Sequence, residues 1–295
     1  MPANRTNENA VAGQIEPMLC HLCGCRPAGS REHLPGVGAA NDGPVTVRYF
    51  QSEGATKDRR VVERAEADGF IVRTLCSHCN SRTGGSYGAA YKEFVEGFSA
   101  SGVIDAGQAR TWVNLEGIQP LRVLKQMTSM FVAAQGLFKR ELWLPLCDFV
   151  LKRDARLESA PKLRYYLYRN ASNTGRVTAL TSMMSIYRRW PPIMLAEISW
   201  PPVGIVFAME PHPLLSAMKD ITAWGQYHFK DRASLQFSVP QLRVATHWPL
   251  GFGDERQAHA WSARDGVIAL LHTGVGSNEA TEMSVLTQRT RARPK

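Results

Sequence analysis

The spacing of apolar residues in the first third of the chain predicts a small unit of strands and one helix. The stretches "VTVRYF" and "FIVRTL" carry the β-branched residues typical of strands. The stretch "RRVVERAEAD" between them is interpreted as a short helix that leads into the second strand. Tyr87, Tyr91, Phe94 and Phe98 lie near helical spacing and predict a helix after it.

The rest of the chain shows longer apolar patterns that predict a larger unit. "IQPLRVLKQMTSMFVAAQGLF" places Leu121, Leu124, Met127 and Phe131 on one helical face, with Pro120 near its start, and "LWLPLCDFVL" continues the helical core. Later segments are rich in β-branched and aromatic residues punctuated by Pro and Gly, which predicts antiparallel strands packed on these helices. The expected fold class is therefore α+β, with a C-terminal domain of helices on a mostly antiparallel sheet.

Length and composition favour two domains with polar ends, because 295 residues exceed what one core usually fills. No apolar run approaches the ~18–20 residues needed to cross a membrane, and the first residues lack the apolar centre of a signal peptide. A cytoplasmic protein without a membrane partner is expected. The predicted organisation is a disordered leader (1–17), a first domain (18–98), a linker (99–112), a second domain (113–275) and a flexible basic tail (276–295).

Positive charge is concentrated outside the first domain. Residues 1–100 hold 11 Lys or Arg and 11 Asp or Glu, so the rest of the chain supplies the net charge of +9. Residues 152–189 hold nine Lys or Arg but only two acidic residues. Such a stretch attracts polyanions, most commonly nucleic acid, although a solvated surface is the simpler alternative. The residues predicted to contact a nucleic-acid backbone here are Arg164, Arg169 and Arg176.

Four of the six cysteines form two C-x2-C pairs, Cys20 with Cys23 and Cys76 with Cys79. In a cytosolic chain, paired knuckles of this kind indicate zinc rather than disulfides. Four thiolates complete a tetrahedral shell and leave no position for water or substrate. The zinc is therefore predicted to be structural, and it takes the place of a hydrophobic core in a small unit.

The residues around these knuckles resemble the HNH endonucleases, also called ββα-metal or His-Me finger nucleases. The matching segments are "CHLCG", "SREHLPGVG" and "CSHCNSRTGG". They supply a knuckle, an acid–histidine pair followed by Pro and Gly, and a closing C-x2-C-N followed by Gly. The resemblance covers residues 18–98 and implies a zinc-stabilised ββα-metal (treble-clef-like) module.

This resemblance implies a metal-dependent endonuclease that hydrolyses phosphodiester bonds in nucleic acid, with DNA as the expected substrate. His33 would be the general base, and Glu32 and Asn80 would hold a catalytic Mg2+ or Mn2+. Adjacent residues on a regular strand point to opposite sides, so a bend is expected at Glu32 and His33. Nearby residues predicted to contact nucleic acid are Arg31, Arg82 and Lys92.

One element of the family pattern is missing, an asparagine shortly before the closing knuckle that orients the base. Arg73 is the nearest polar side chain there, and Asn41 in "GAANDG" could substitute only if its loop folds back. A backbone carbonyl is a further alternative. The segment "VTVRYFQSEGATKDRRVVERAEA" lengthens the spacing and is interpreted as an insertion.

Simpler interpretations remain open. His33 could be structural, Asn80 could only cap a helix, and His21 and His78 are expected to face solvent or phosphate. The whole chain could be a catalytically inactive, zinc-bearing nucleic-acid binder or a protein-interaction module. Family members in bacterial and phage defence often carry a sensing domain, which suggests a targeting or regulatory role for residues 113–275.

Overall fold

The computed structural model describes most of the chain between residues 18 and 242, together with three short strands beyond it. The predicted leader lies outside the described residues, as do part of the predicted linker and most of the predicted tail. The described ranges are 18–52, 59–101, 109–135, 140–157, 162–171, 174–185, 191–242, 259–262, 268–271 and 287–289.

Within these ranges the chain is a mixed α+β protein, as the sequence predicts. The strands are β1 (Ser30–His33), β2 (Val45–Ser52), β3 (Arg59–Glu66), β4 (Ile71–Leu75), β5 (Arg110–Ile118), β6 (Arg164–Asn170), β7 (Thr174–Ser185), β8 (Ile193–Trp200), β9 (Val203–Ala208), β10 (Lys219–Asp220), β11 (Ala233–Leu242), β12 (His259–Ser262), β13 (Ile268–Leu271) and β14 (Thr287–Arg289). The helices are α1 (Ser77–Thr83), α2 (Ala89–Ala100), α3 (Pro120–Ala133) and α4 (Arg140–Leu151).

A two-stranded sheet and a long helical segment form the N-terminal module. β1 pairs antiparallel with β4, with His33 opposite Ile71 and an irregularity in register between Ser30 and Glu32. Cys76 caps α1 by accepting a hydrogen bond on its sulfur from the backbone N–H of Cys79 at 3.4 Å. A π-helical segment, Gly84–Gly88, joins α1 to α2, so the predicted helix is confirmed and begins earlier than the aromatic spacing indicates.

The segment between β1 and β4 in the chain contains a β-hairpin. β2 pairs antiparallel with β3 over their whole lengths, from Val45 opposite Glu66 to Ser52 opposite Arg59. The predicted short helix at this position is wrong. The segment carries the β-branched pair Val61 and Val62, and pairing along β2 satisfies the backbone groups that a helix would bond internally.

Twelve of the described strands form one large sheet. Its order is β13-β2-β14-β7-β8-β9-β6-β11-β5, with β3 on β2, β12 on β7 and β10 on β6. Among the described pairings only β11 with β6 is parallel. The prediction of a mostly antiparallel sheet is confirmed.

Helix α3 lies at the centre of the molecule. All of its residues except Arg122 are buried, so the predicted apolar face is correct but the helix is enclosed on its other sides as well. Phe131 on α3 packs with Tyr165 and Phe207 of the large sheet, at ring-centroid distances of 6.3 and 5.6 Å. One apolar core extends from Cys20 to Val239 and joins the N-terminal module to the sheet. None of the described helices is long and apolar enough to cross a membrane.

Candidate functional site

The four cysteines of the two knuckles converge on one point. The sulfur atoms of Cys20, Cys23, Cys76 and Cys79 all lie within 4.8 Å of one another, and Cys23 Sγ is 4.0 Å from Cys76 Sγ. Tetrahedral zinc with Zn–S bonds of about 2.3 Å places its sulfurs about 3.8 Å apart. A hydrogen bond from the Cys79 thiol stabilises the thiolate form of Cys20 and so lowers the pKa of Cys20. The group can therefore hold a metal ion, and its donor set is compatible with structural zinc.

Both knuckles dock on the C-terminal end of α3. His21 donates from Nδ1 to the carbonyl of Val132 at 3.1 Å, and the hydroxyl of Thr74 donates to the carbonyl of Ala133 at 2.7 Å. His21 is thereby buried, so the expectation that it faces solvent or phosphate is wrong, whereas His78 is exposed. These two bonds satisfy carbonyls that a helix end leaves free.

His33 is held by a backbone carbonyl, one of the alternatives that the sequence leaves open. Its Nε2 lies 2.9 Å from the carbonyl oxygen of Asp68. Because a carbonyl can only accept, Nε2 carries the hydrogen, and Nδ1 of the neutral ring keeps its lone pair. The imidazole is thus fixed in orientation and in tautomer, with a basic nitrogen to spare.

Asn41 joins the loop after His33 to the start of β4. Its side-chain Nδ2 donates to the carbonyls of Pro35 and Phe70 at 2.8 and 3.1 Å, and its Oδ1 accepts from the N–H of Phe70 at 2.8 Å. The residue is fully buried. Gly69 allows this approach, because its φ is +84° and a Cβ there would lie 2.4 Å from the Asn41 carbonyl oxygen. The loop therefore does fold back, and Asn41 braces the segment that carries the carbonyl acceptor of His33.

Glu32 is a buried carboxylate without a partner. Only 5 % of the residue is exposed, and among the described residues no group hydrogen-bonds or ion-pairs with its side chain. Burial raises the pKa of Glu32 to about 7. A carboxylate kept in such surroundings is unfavourable unless a cation or donor completes it, so its burial is typical of a functional position.

Asn80 on α1 hydrogen-bonds to β1 where the pairing of β1 with β4 is irregular, between Ser30 and Glu32. Its Nδ2 donates to Ser30 Oγ at 2.8 Å and to the carbonyl of Arg31 at 2.7 Å. With both amide hydrogens used, the side-chain oxygen of Asn80 has no hydrogen bond among the described residues. Asn80 does not cap its helix, because Cys76 occupies that position.

Glu32, His33 and Asn80 line one cleft of about 340 Å³. The neighbouring Glu32 and His33 thus reach the same space despite their adjacent positions, next to the irregularity in β1. The cysteine group is the only cluster of three or more His, Cys, Asp or Glu residues in the described ranges that is compact enough for one ion. A cation in the cleft would therefore depend on Glu32 together with neutral oxygen donors and water.

Another part of the cleft wall is formed by residues that are not among the predicted site residues. Gly84 and Gly88 of the π-helical segment line it together with Tyr91 of α2 and Gln126 of α3. Short π-helical segments inside helices are frequent at functional sites. The glycines following the closing knuckle were a signal of this wall, but nothing in the helical pattern of α3 indicated Gln126.

The basic residues predicted near the site lie at its edge. Arg31 and Lys92 line the cleft, where they form exposed ion pairs with Asp68 at 2.5 Å and with Glu96 at 3.7 Å. Arg82 instead donates to the carbonyl of Leu151. Such exposed pairs contribute little to stability.

Two of the three arginines predicted to contact nucleic acid in the second half are part of the interior. Arg176 is 2 % exposed and its Nε lies 2.5 Å from a carboxylate oxygen of Glu197. Arg169 is also buried and donates to the carbonyls of Phe98 and Ser101. A phosphate backbone cannot reach either residue, so the prediction is corrected for both. Arg164 is partly exposed and lies 3.6 Å from Asp220.

Searches with this chain against protein-family models, curated proteins and solved structures found no match.

Proposed function

We propose that the protein is a metal-dependent endonuclease of the HNH type that hydrolyses phosphodiester bonds in nucleic acid, with DNA as the expected substrate. The observation that carries the proposal is the bond from His33 Nε2 to the carbonyl of Asp68, beside a buried Glu32 in the same cleft that has no partner among the described residues. A fixed imidazole with a free lone pair is suited to deprotonate water.

In this proposal Nδ1 of His33 takes a proton from the water as the water oxygen bonds to phosphorus. The P–O bond to the leaving sugar oxygen breaks, and that oxygen takes up a proton from solvent. The resulting imidazolium keeps its Nε2–H directed at the Asp68 carbonyl, whose partial negative charge stabilises the cation. Asn41 keeps that carbonyl in place through its bonds to both backbone groups of Phe70. The base therefore needs no reorientation during the reaction.

The carboxylate of Glu32 and the side-chain oxygen of Asn80 would hold Mg2+ or Mn2+, which prefer oxygen ligands. When bound, the ion supplies positive charge that offsets the negative charge developing on the phosphate. A nearby cation favours the ionised form of Glu32 and so opposes the effect of burial on its pKa. The zinc of the four cysteines would have no chemical part, because its shell is closed.

The test is cleavage of supercoiled plasmid by the full chain in Mg2+ or Mn2+, with His33→Ala as the variant. His78→Ala is the matched control, because His78 is an exposed histidine between the two cysteines of the closing knuckle. We expect cleavage by wild type and by the control, and a loss of about 10²–10⁴-fold for His33→Ala. Cleavage that persists in His33→Ala would exclude this base. Tight binding without cleavage of DNA or RNA by wild type would favour an inactive binder.

A further inference from the structure

Gln126 is a buried polar residue of α3 that faces the cleft of the N-terminal module. It is 4 % exposed and lines the cleft together with Glu32 and His33. Its Oε1 is buried without a hydrogen-bond partner, and no described group bonds to its Nε2 either. An unpaired buried amide destabilises a fold, so its presence requires an explanation.

A second glutamine next to the same helix, Gln135, has a side-chain amide that is hydrogen-bonded within the fold. Gln135, just beyond the end of α3, donates from Nε2 to the carbonyl of Phe131 at 2.7 Å, and its Oε1 accepts from the N–H of Leu180 at 2.9 Å. Both of its polar groups are used within the fold. Gln126 has no such partners among the described residues, so packing alone favours an apolar side chain of similar shape at position 126.

The glycines between α1 and α2 leave the way to Gln126 open. A Cβ built on Gly84 or on Gly88 would have no atom within 4 Å, and both residues line the cleft. Without side chains at these positions, an extended nucleic-acid strand can approach the helical backbone closely. The wall that includes Gln126 is therefore accessible to a ligand larger than a single ion.

We propose that Gln126 is a substrate-binding residue whose carboxamide N–H donates to a phosphodiester oxygen of the strand held in the cleft. This inference rests on the proposed nuclease function and extends it to α3, outside the HNH-like segment. A phosphodiester offers acceptors only, which the amide N–H matches. A neutral donor also adds no positive charge that would compete with the proposed cation for the carboxylate of Glu32 in the same cleft.

The experiment compares Gln126→Met with Gln135→Met in the full, zinc-loaded chain. Methionine keeps the shape and removes the amide. For Gln126→Met we expect an unchanged or higher Tm, about tenfold or greater loss in kcat/KM on plasmid, and a similar loss of affinity for a fluorescent DNA duplex measured by anisotropy. Gln135→Met should instead lower Tm, because it breaks two hydrogen bonds. Gln126→Glu should bind DNA more weakly still, because its carboxylate repels phosphate.

Binding of Mn2+, measured by calorimetry without nucleic acid, distinguishes a substrate-binding role of Gln126 from a metal-binding role. The proposal requires equal Mn2+ affinity in wild type and Gln126→Met, and a loss of affinity in the variant would make Gln126 a metal ligand instead. Wild-type kcat/KM and DNA affinity in Gln126→Met would overturn the inference and leave the nuclease proposal standing. If wild type binds DNA without cutting it, the nuclease proposal fails and the anisotropy comparison still decides the role of Gln126. Wild-type protein that neither binds nor cuts overturns both.

Discussion

The imidazole of His33 donates to the backbone carbonyl of Asp68, 35 positions later in the chain, at 2.9 Å. The Asp68 side chain takes no part in this bond and forms an exposed ion pair with Arg31. Gly69 follows immediately with a φ of +84°. The position of the acceptor thus depends on the backbone at Gly69 rather than on the carboxylate beside it.

We expect Gly69→Ala to reduce both stability and cleavage. The new Cβ would lie 2.4 Å from two atoms of Asn41, in a backbone conformation unfavourable for alanine, so the free energy of unfolding should fall by about 2 kcal/mol or more. Asp68→Ala is the control and should lose less than about 1 kcal/mol. Urea unfolding and plasmid nicking measure both effects. Equal behaviour of the two variants would contradict this account of the loop.

Asn41→Ala should destabilise the protein by about 2–4 kcal/mol, because it removes three buried hydrogen bonds to the backbone of Pro35 and Phe70. Cleavage should fall at least about tenfold at a temperature where the variant is folded. Asn114→Ala, at an exposed position of β5, is the matched control. A stable Asn41→Ala variant with full activity would show that the brace is dispensable.

Glu32 makes stability depend on pH in the absence of added Mg2+ or Mn2+. Its folded-state pKa of about 7 lies above the ordinary value of 4.5, so the folded protein binds more protons than the unfolded chain in this window and loses stability as the pH rises through it. The loss is roughly 3 kcal/mol between pH 4 and pH 8. Glu32→Gln should be more stable than wild type at pH 8, with little difference at pH 4, as followed by urea unfolding.

The exposed Glu96→Gln is the control for this pH dependence and should behave as wild type. Added Mn2+ should stabilise wild type at pH 8 but not Glu32→Gln, because only the former offers a carboxylate to the ion. Stabilisation of both proteins to the same extent would place the ion elsewhere.

Cys79→Ser should unfold the N-terminal module rather than only slow cleavage, because it breaks the compact group of four sulfurs. Cys25→Ser is the control, since Cys25 is exposed and lies outside that group. Metal analysis should find one zinc per chain in wild type and in the control, and circular dichroism should report the loss of structure. A folded, zinc-free Cys79→Ser protein would contradict the structural role.

Lys92→Ala should weaken nucleic-acid binding and leave stability unchanged. Its ion pair with Glu96 is long and exposed, and the side chain lines the cleft. Loss of one phosphate contact should reduce the slope of log affinity against log salt by about 1. The buried Arg176 should contribute nothing to that slope, and a variant of it that remains folded provides the comparison.

The parts of the site that the sequence reveals are those carried by local spacing. Each knuckle, the acid–histidine pair and the Cys79-Asn80 pair is a short motif in itself, so the sequence reveals each one although the two halves of the site lie more than 40 residues apart. Asn41 was only a weak candidate because its role depends on contact with Phe70 across an inserted hairpin. Gln126 had no signal, since a glutamine between apolar helical positions has the same pattern whether it faces solvent or a cleft.

The error over Arg169 and Arg176 has a physical origin. A count of charges treats each arginine as exposed, but these two lie on strands within the large sheet. There Arg176 forms an ion pair with Glu197 and Arg169 donates hydrogen bonds to backbone carbonyls. Whether a strand lies within or at the edge of a sheet depends on the whole topology. The sequence pattern of β6 and β7 therefore predicts strands correctly and their surroundings poorly.

The docking of His21 and Thr74 on the end of α3 connects the cysteine group to the cleft through one helix. Helix α3 ends at the knuckles, and Gln126 lies about two turns before that end and lines the cleft. Loss of zinc would release the end of α3 and alter the position of that wall without touching the substrate. Linkage then requires the converse, so a ligand in the cleft should raise the affinity of the cysteine group for zinc, as measured by equilibrium competition with a chelator.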